Sequence, residues 1–224
     1  MKIGIICAGD REFAPFCAQL EEESVSVYAK LRVHEGKLGG VPVAMVCSGV
    51  CKVNAAIAST VLIERYGVEA IINGGTAGGM AKEVRLLDIV VMTECAHHDV
   101  SAEILTEAHP FREDIWFRSD ERLLEIAKEV LGGEKNVRFG RMVTGEQFIT
   151  QEGRERIDRD YAPLSVDMET AAIAQVCEAY GVPFIAVRCI TDTADHAGAE
   201  NFERNVAEAS KLSKIAVMRM LERI

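Results

Sequence analysis

Carboxylates and an arginine gather in one stretch, Ser165 to Asp195, which reads SVDMETAAIAQVCEAYGVPFIAVRCITDTAD. Asp167 and Glu169 stand at the mouth of a helix. Ile173, Val176, Cys177 and Tyr180 follow at helical spacing and give that helix one buried face. Gly181 and Pro183 end it. The uncharged run Pro183 to Val187 reads as a buried strand, and Arg188, Asp192 and Asp195 come past its end. Helix starts and strand ends are where α/β proteins place their chemistry. A capped helix with a solvated loop accounts for Asp167 but leaves Glu169, Arg188 and Asp192 without a task.

Other strand ends supply more candidates. Lys2 to Ala8 is a short apolar strand, and Glu12 lies just beyond it in the first turn of a helix over Arg11 to Glu21. By itself Glu12 reads as an acid complementing the helix dipole. Val68 to Ile72 is a buried strand running into Asn73-Gly74-Gly75-Thr76-Ala77-Gly78-Gly79, where glycine lets backbone N–H groups come close to a ligand. That run matches neither a P-loop nor a dinucleotide fingerprint. Phe148 sits in Thr144-Gly145-Glu146-Gln147-Phe148-Ile149, after a strand over Val137 to Val143. Two or three carboxylates at one cleft suit acid–base work. Splitting a glycosidic bond needs such a set: one group activates water, another protonates the leaving group, and a third holds sugar hydroxyls.

The elements that must position these groups alternate along the chain. Val25 to Val46 reads as antiparallel strands punctuated by Gly36, Gly39 and Gly40. Ser48 to Cys51 is a turn, and Lys52 to Tyr66 is an alanine-rich helix ended by Gly67. Leu87 to Cys95 is a strand, and Ala96 to Arg118 is the longest loop candidate. That loop holds His97, His98 and His109, but without the spacing of a zinc motif or an evident fourth ligand. Ser119 to Leu131 is an amphipathic helix with Ser119 as its candidate cap, and Asn201 to Leu221 is the closing helix. Strands alternating with helices across 224 residues predict one α/β domain, 1–224, around a central sheet.

Composition narrows the partners. The net charge of −10 argues against nucleic acid and anionic membrane surfaces. No apolar run approaches the length of a membrane span. The seven cysteines are odd in number, lack a CxxC pair and sit in runs such as IGIICAG and VAMVCSG. They read as reduced core residues of a cytoplasmic protein.

The segments MKIGIICAGDREF, SGVCKVNAA, IINGGTAGG, DIVV, HHDV, TGEQFI, VDMETAAIA, VPFIAVRCITDTAD and NFE resemble the 5′-methylthioadenosine/S-adenosylhomocysteine nucleosidases, the hydrolytic branch of the nucleoside phosphorylase superfamily. The resemblance covers essentially the whole chain. It implies a nucleoside phosphorylase-like fold with a mixed, twisted central sheet flanked by helices. It implies a nucleoside substrate, neither metal nor organic cofactor, and a homodimer whose partner loop covers the 5′ end of the site. It assigns water activation to Glu12 and protonation of adenine N7 to Asp192. Arg188 and Thr76 would place the water, Glu169 would bind ribose hydroxyls, and Met168 would pack on the sugar. Phe148 would stack on the base, the main chain of Ile149 would read its edge, and Phe202 would pack near the 5′ substituent. Val50 and Gly78 complete the implied binding residues.

The chain departs from the family pattern at Gly9, where a bulky apolar residue is common, at Cys51 in place of glycine and at Thr76 in place of serine. The Val100–Asp114 segment lacks the usual aromatics; Ile104, Leu105, Pro110 and Phe111 are its candidate apolar lid. Two other readings stay open. A phosphorylase would present arginines to phosphate, yet Asn73 stands where one is expected, leaving Arg11 and Arg188. A non-catalytic nucleoside-binding protein would be expected to lack Glu12 or Asp192.

Overall fold

Uncharged, β-branched runs on both sides of the glycine-rich segment dictate strands buried on two faces. The structure, a computed structural model, describes residues 1–109, 111–149, 151–193 and 199–224, with the side chains of 151, 152, 199 and 200 left aside. Pro110 and Asp195 therefore lie outside the described residues. The strands are β1 (Ile3–Cys7), β2 (Glu21–Tyr28), β3 (Leu31–Leu38), β4 (Val41–Cys47), β5 (Ala70–Gly79), β6 (Ile89–His97), β7 (Phe117–Arg118), β8 (Val137–Thr144), β9 (Ser165–Asp167) and β10 (Phe184–Asp192). The helices are α1 (Asp10–Cys17), α2 (Lys52–Tyr66), α3 (Ala102–Thr106), α4 (Glu121–Leu131), α5 (Gln151–Tyr161), α6 (Thr170–Tyr180) and α7 (Ala199–Leu221).

All ten strands join one mixed sheet in the order β10-β6-β8-β9-β5-β1-β4-β3-β2, with β7 beside β6. A further β10–β5 pairing closes β5, β10, β6, β8 and β9 into a ring. The pairs β1–β4, β1–β5, β5–β10, β6–β8 and β8–β9 are parallel. Side chains alternate across the central strands with period two. Ile3, Ile5, Ile185 and Val187 face a core layer built with α1, α4 and α7, while Ile6, Phe184 and Ala186 face the layer built with α2 and α6. Gly67 and Gly181 end α2 and α6 with φ of 63° and 65°, the left-handed turn that favours glycine.

Five local expectations are corrected. The glycine run is not a loop but the second half of β5, and Arg188 and Asp192 lie within β10 rather than past it. Pairing explains both: Arg188 is opposite Gly75 and Asp192 opposite Gly78, so the ladder carries polar residues along. The segment after β6 contains α3 and β7, and His97 ends β6 itself. Helix α4 is capped by Asp120, whose side chain accepts from Leu123 N at 3.0 Å, while the Ser119 hydroxyl donates to Met92 O. Helix α1 stops at Cys17, short of Glu21, which opens β2.

Candidate active site

The ring strands β5, β8, β9 and β10 end together, with Gly78 opposite both Asp192 and Val166, and Thr144 opposite Asp167. A cavity of about 490 Å³ opens there. Glu12, Val50, Thr76, Gly78, Phe148, Ile149, Met168, Glu169, Arg188, Asp192 and Phe202 all line it, so the residues to which the resemblance gives a site role reach one place. Asn73 and the three histidines do not. Among the described residues no group of three or more His, Cys, Asp or Glu is disposed to hold a metal ion. The same residues contain no helix long and apolar enough to cross a membrane.

Glu12 is more than a dipole complement. Its Oε2 accepts from Ala8 N at 2.9 Å and Gly9 N at 3.0 Å, the reciprocal half of a capping box. Its Oε1 accepts from Thr76 N at 2.6 Å and from the Thr76 hydroxyl at 2.7 Å. Thr76 thus orients the carboxylate directly. Room for this comes from Gly75: a Cβ there would lie 2.6 Å from Glu12 Oε1 and 2.9 Å from Arg188 Nη1, and its φ is +145°. The glycine run serves the protein's own charged groups rather than a ligand's phosphates.

Arg188 is 1% exposed, the largest fully buried side chain. Its Nη2 donates to Glu169 Oε2 at 2.8 Å, and its Nε lies 3.2 Å from Asp167 Oδ2. Nη1 makes no hydrogen bond among the described residues. Burial opposes the guanidinium charge, but Asp167, Glu12 and Glu169 outweigh it and hold Arg188 above its ordinary value. Asp167 is also the local organiser of α6: its Oδ1 accepts from Glu169 N, Thr170 N and the Thr144 hydroxyl. Glu169 therefore does not cap the helix with its side chain and is free to face the cavity. Its Oε1 accepts from Cys51 N at 3.0 Å. Cys51 holds that donor in place at φ 84° and ψ 160°, a conformation nearly reserved for glycine.

A helix N-terminus favours an ionised carboxylate at Glu169. Burial instead pushes its carboxyl up to about 7, with Arg188 pulling it down and Asp167 and Glu12 adding to the rise. One cation serves three carboxylates here, so the most buried acid among them holds its proton more readily. Asp192, 2% exposed, is likewise pushed up by burial, against the Thr191 hydroxyl and Arg154. Thr191 Oγ1 donates to Asp192 Oδ1 at 2.9 Å, and Asn205 of α7 holds the Thr191 carbonyl.

Aromatic walls complete the site. Phe148 and Phe202 meet edge to face with centroids 6.5 Å apart. Gln147, Thr191, Val206 and Glu203 also line the cavity and went unnoticed in the sequence. Gln147, Thr191 and Glu203 carried a signal as the neighbours of Phe148, Asp192 and Phe202. Among the described residues of 100–114 none lines this chain's own cavity; Leu105 is buried, and Ile104 and Phe111 are 58% and 66% exposed.

Comparisons with known proteins agree with this geometry. Residues 2–222 match the model of the phosphorylase superfamily. The 5′-methylthioadenosine/S-adenosylhomocysteine nucleosidase of Tolumonas auensis is 34% identical over 230 residues, covering all of both chains. The S-adenosylhomocysteine nucleosidase of Streptococcus pyogenes, solved with 5-methylthiotubericidin, superposes with a TM-score of 0.93 at 33% identity, over 100% of this chain and 97% of that one. The Streptococcus pneumoniae 5′-methylthioadenosine/S-adenosylhomocysteine nucleosidase, solved with a transition-state inhibitor, gives a TM-score of 0.91 at 28% identity, over 99% of each chain. With its ring of strand ends, its buried arginine between acids and this full-length likeness, the chain belongs to the phosphorylase superfamily and, within it, to the 5′-methylthioadenosine/S-adenosylhomocysteine nucleosidases.

Proposed function

We propose that this chain hydrolyses the N-glycosidic bond of 5′-thio-substituted adenosines, 5′-methylthioadenosine and S-adenosylhomocysteine, and releases adenine. The observation that carries this reading is the pairing in one cavity of Glu12, an acceptor braced by four donors, with Asp192, a carboxyl that burial keeps protonated to higher pH. Water oxygen bonds to C1′ as the C1′–N9 bond breaks, and the electron pair goes to the base. Glu12 takes the water's proton, and Asp192 gives its own to N7, because adenine leaves poorly as an anion. The Arg188 Nη1 and the Thr76-oriented carboxylate set where the water lies. Glu169 and Met168 hold the ribose, Phe148 stacks on the base, Ile149 reads its edge, and Phe202 bounds the 5′ side. Positive charge developing on the ribosyl group meets the surplus of carboxylates.

The phosphorylase reading keeps a single accessible arginine, Arg11 at the half-exposed rim. Asn73 is engaged on both sides of its amide, its Nδ2 donating to Ile6 O at 3.0 Å and its Oδ1 accepting from the Thr170 hydroxyl at 2.8 Å. Arg188 is engaged by Asp167 and Glu169, and Arg11 by Glu203. Hydrolysis is therefore expected at full rate in phosphate-free buffer, with free sugar as product. Strict dependence on phosphate, with sugar 1-phosphate formed, would overturn the hydrolase reading.

The proposed assembly is a homodimer. The family resemblance carries this proposal, and Val53 and Ile57, one helical turn apart on α2, are both exposed apolar residues that a partner could cover. Sedimentation equilibrium is expected to give twice the chain mass; a monomer at micromolar concentration would remove the partner loop from the site.

A further inference from the structure

The rim of the cavity carries a charged pair that the hydrolysis does not use. Arg11 of α1 and Glu203 of α7 both line the cavity, and Arg11 Nη1 donates to Glu203 Oε2 at 2.5 Å. Both side chains are about half exposed, 54% and 56%. Asp10 lines the same edge. Between this rim and the floor stands Gly9, where an added Cβ would meet nothing within 4 Å. Glu203 directly follows Phe202, the residue placed beside the 5′ substituent, so a group extending from that substituent runs toward the pair.

Resting on the nucleosidase reading, we propose that Arg11 and Glu203 form a recognition pair for the zwitterionic end of an amino acid carried on the 5′ sulfur. The guanidinium takes the α-carboxylate through two parallel N–H···O bonds, and Glu203, with Asp10 beside it, takes the α-ammonium. The exchange is electroneutral: one internal ion pair opens and two pairs to the ligand close, with no charge left alone. A purely anionic tail would leave Glu203 without its partner beside Asp10, and a purely cationic one would strand Arg11. The internal pair is half exposed, so opening it costs little. The open space at Gly9 admits the longer tail. The pair therefore selects S-adenosylhomocysteine over thioethers with a plain alkyl end.

The test is steady-state release of adenine from four compounds: S-adenosylhomocysteine, its decarboxylated analogue, its deaminated analogue and 5′-methylthioadenosine. The wild-type chain, Arg11→Gln and Glu203→Gln are compared. Wild type is expected to favour S-adenosylhomocysteine over either truncated analogue by about tenfold in kcat/KM, the scale of one charge-assisted bond at a half-exposed site. Arg11→Gln is expected to erase the preference over the decarboxylated analogue, and Glu203→Gln the preference over the deaminated one. A preference that survives its matching substitution, or a fall of equal size for all four compounds, would overturn the proposal. Cleavage of 5′-methylthioadenosine by wild type keeps the nucleosidase reading standing in either case; adenine from none of the four would sink both.

Discussion

Changing Glu12 to glutamine is expected to lower kcat by roughly a hundred- to ten-thousand-fold, the range for loss of a general base. A near-isosteric swap at a helix start would ordinarily leave stability alone. Here it should not, because two N–H donors point at Oε2 while an N–H and a hydroxyl point at Oε1. An NH2 in place of Oε2 faces two N–H donors, and one in place of Oε1 faces the Thr76 N–H while the Thr76 hydroxyl can turn to accept, so at least one bond is lost at a buried position. A destabilisation of about 1–3 kcal/mol is expected from groups left without acceptors. Turnover per folded molecule and urea unfolding separate the two effects. A variant with near-wild-type turnover would take Glu12 out of the reaction, whatever its stability.

Asp192→Asn should cost a similar factor in kcat with less damage to the fold. The Thr191 hydroxyl can still donate to the amide oxygen, and side-chain volume is unchanged. What disappears is the proton for N7. The pH profile carries the sharper information. Burial raises the Asp192 carboxyl above the usual carboxylate range, and the protonated form is the active one. Activity is then present below that raised value and lost as pH climbs through it. The residual activity of the variant should lack this alkaline limb. If the limb persists unchanged, it belongs to Glu169, whose carboxyl titrates at about 7, and Asp192 is not the acid.

The strong periodicities and the motif-bearing segments were legible in the sequence, because buried runs and helix stops act locally. Lys52 to Tyr66 is a helix with the bounds expected, and Gly67 and Gly181 end helices by the left-handed turn. Helix α5 and strand β9 were not legible. Gln151–Tyr161 buries a single apolar residue, Ile157, so it offers no periodic face, and β9 is three residues long. The status of the glycine run, of Arg188 and of Asp192 as strand residues depends on β5–β10 pairing over a separation of more than a hundred positions, which no local pattern encodes. The tilt of Glu169 toward its neutral form was hidden for the same reason. It follows from counting charges that only the fold assembles.

Strand β5 is at once the middle of the sheet and the floor of the cavity. At Gly75 the place of a side chain is already taken by Glu12 and Arg188, and at Gly78 a Cβ would press on Asp192 at 3.1 Å. A substitution at Gly75 would evict a reacting group, and one at Gly78 would displace the proposed acid. The floor is thus closed to gradual change, and adaptation to a different 5′ substituent has only the rim to work with: residues 9–11, Val50, Phe148 and 202–203. A lineage can drift in what it binds at the mouth while the bond it cuts stays the same, and the glycine and the charged pair at this chain's mouth lie on the side free to move.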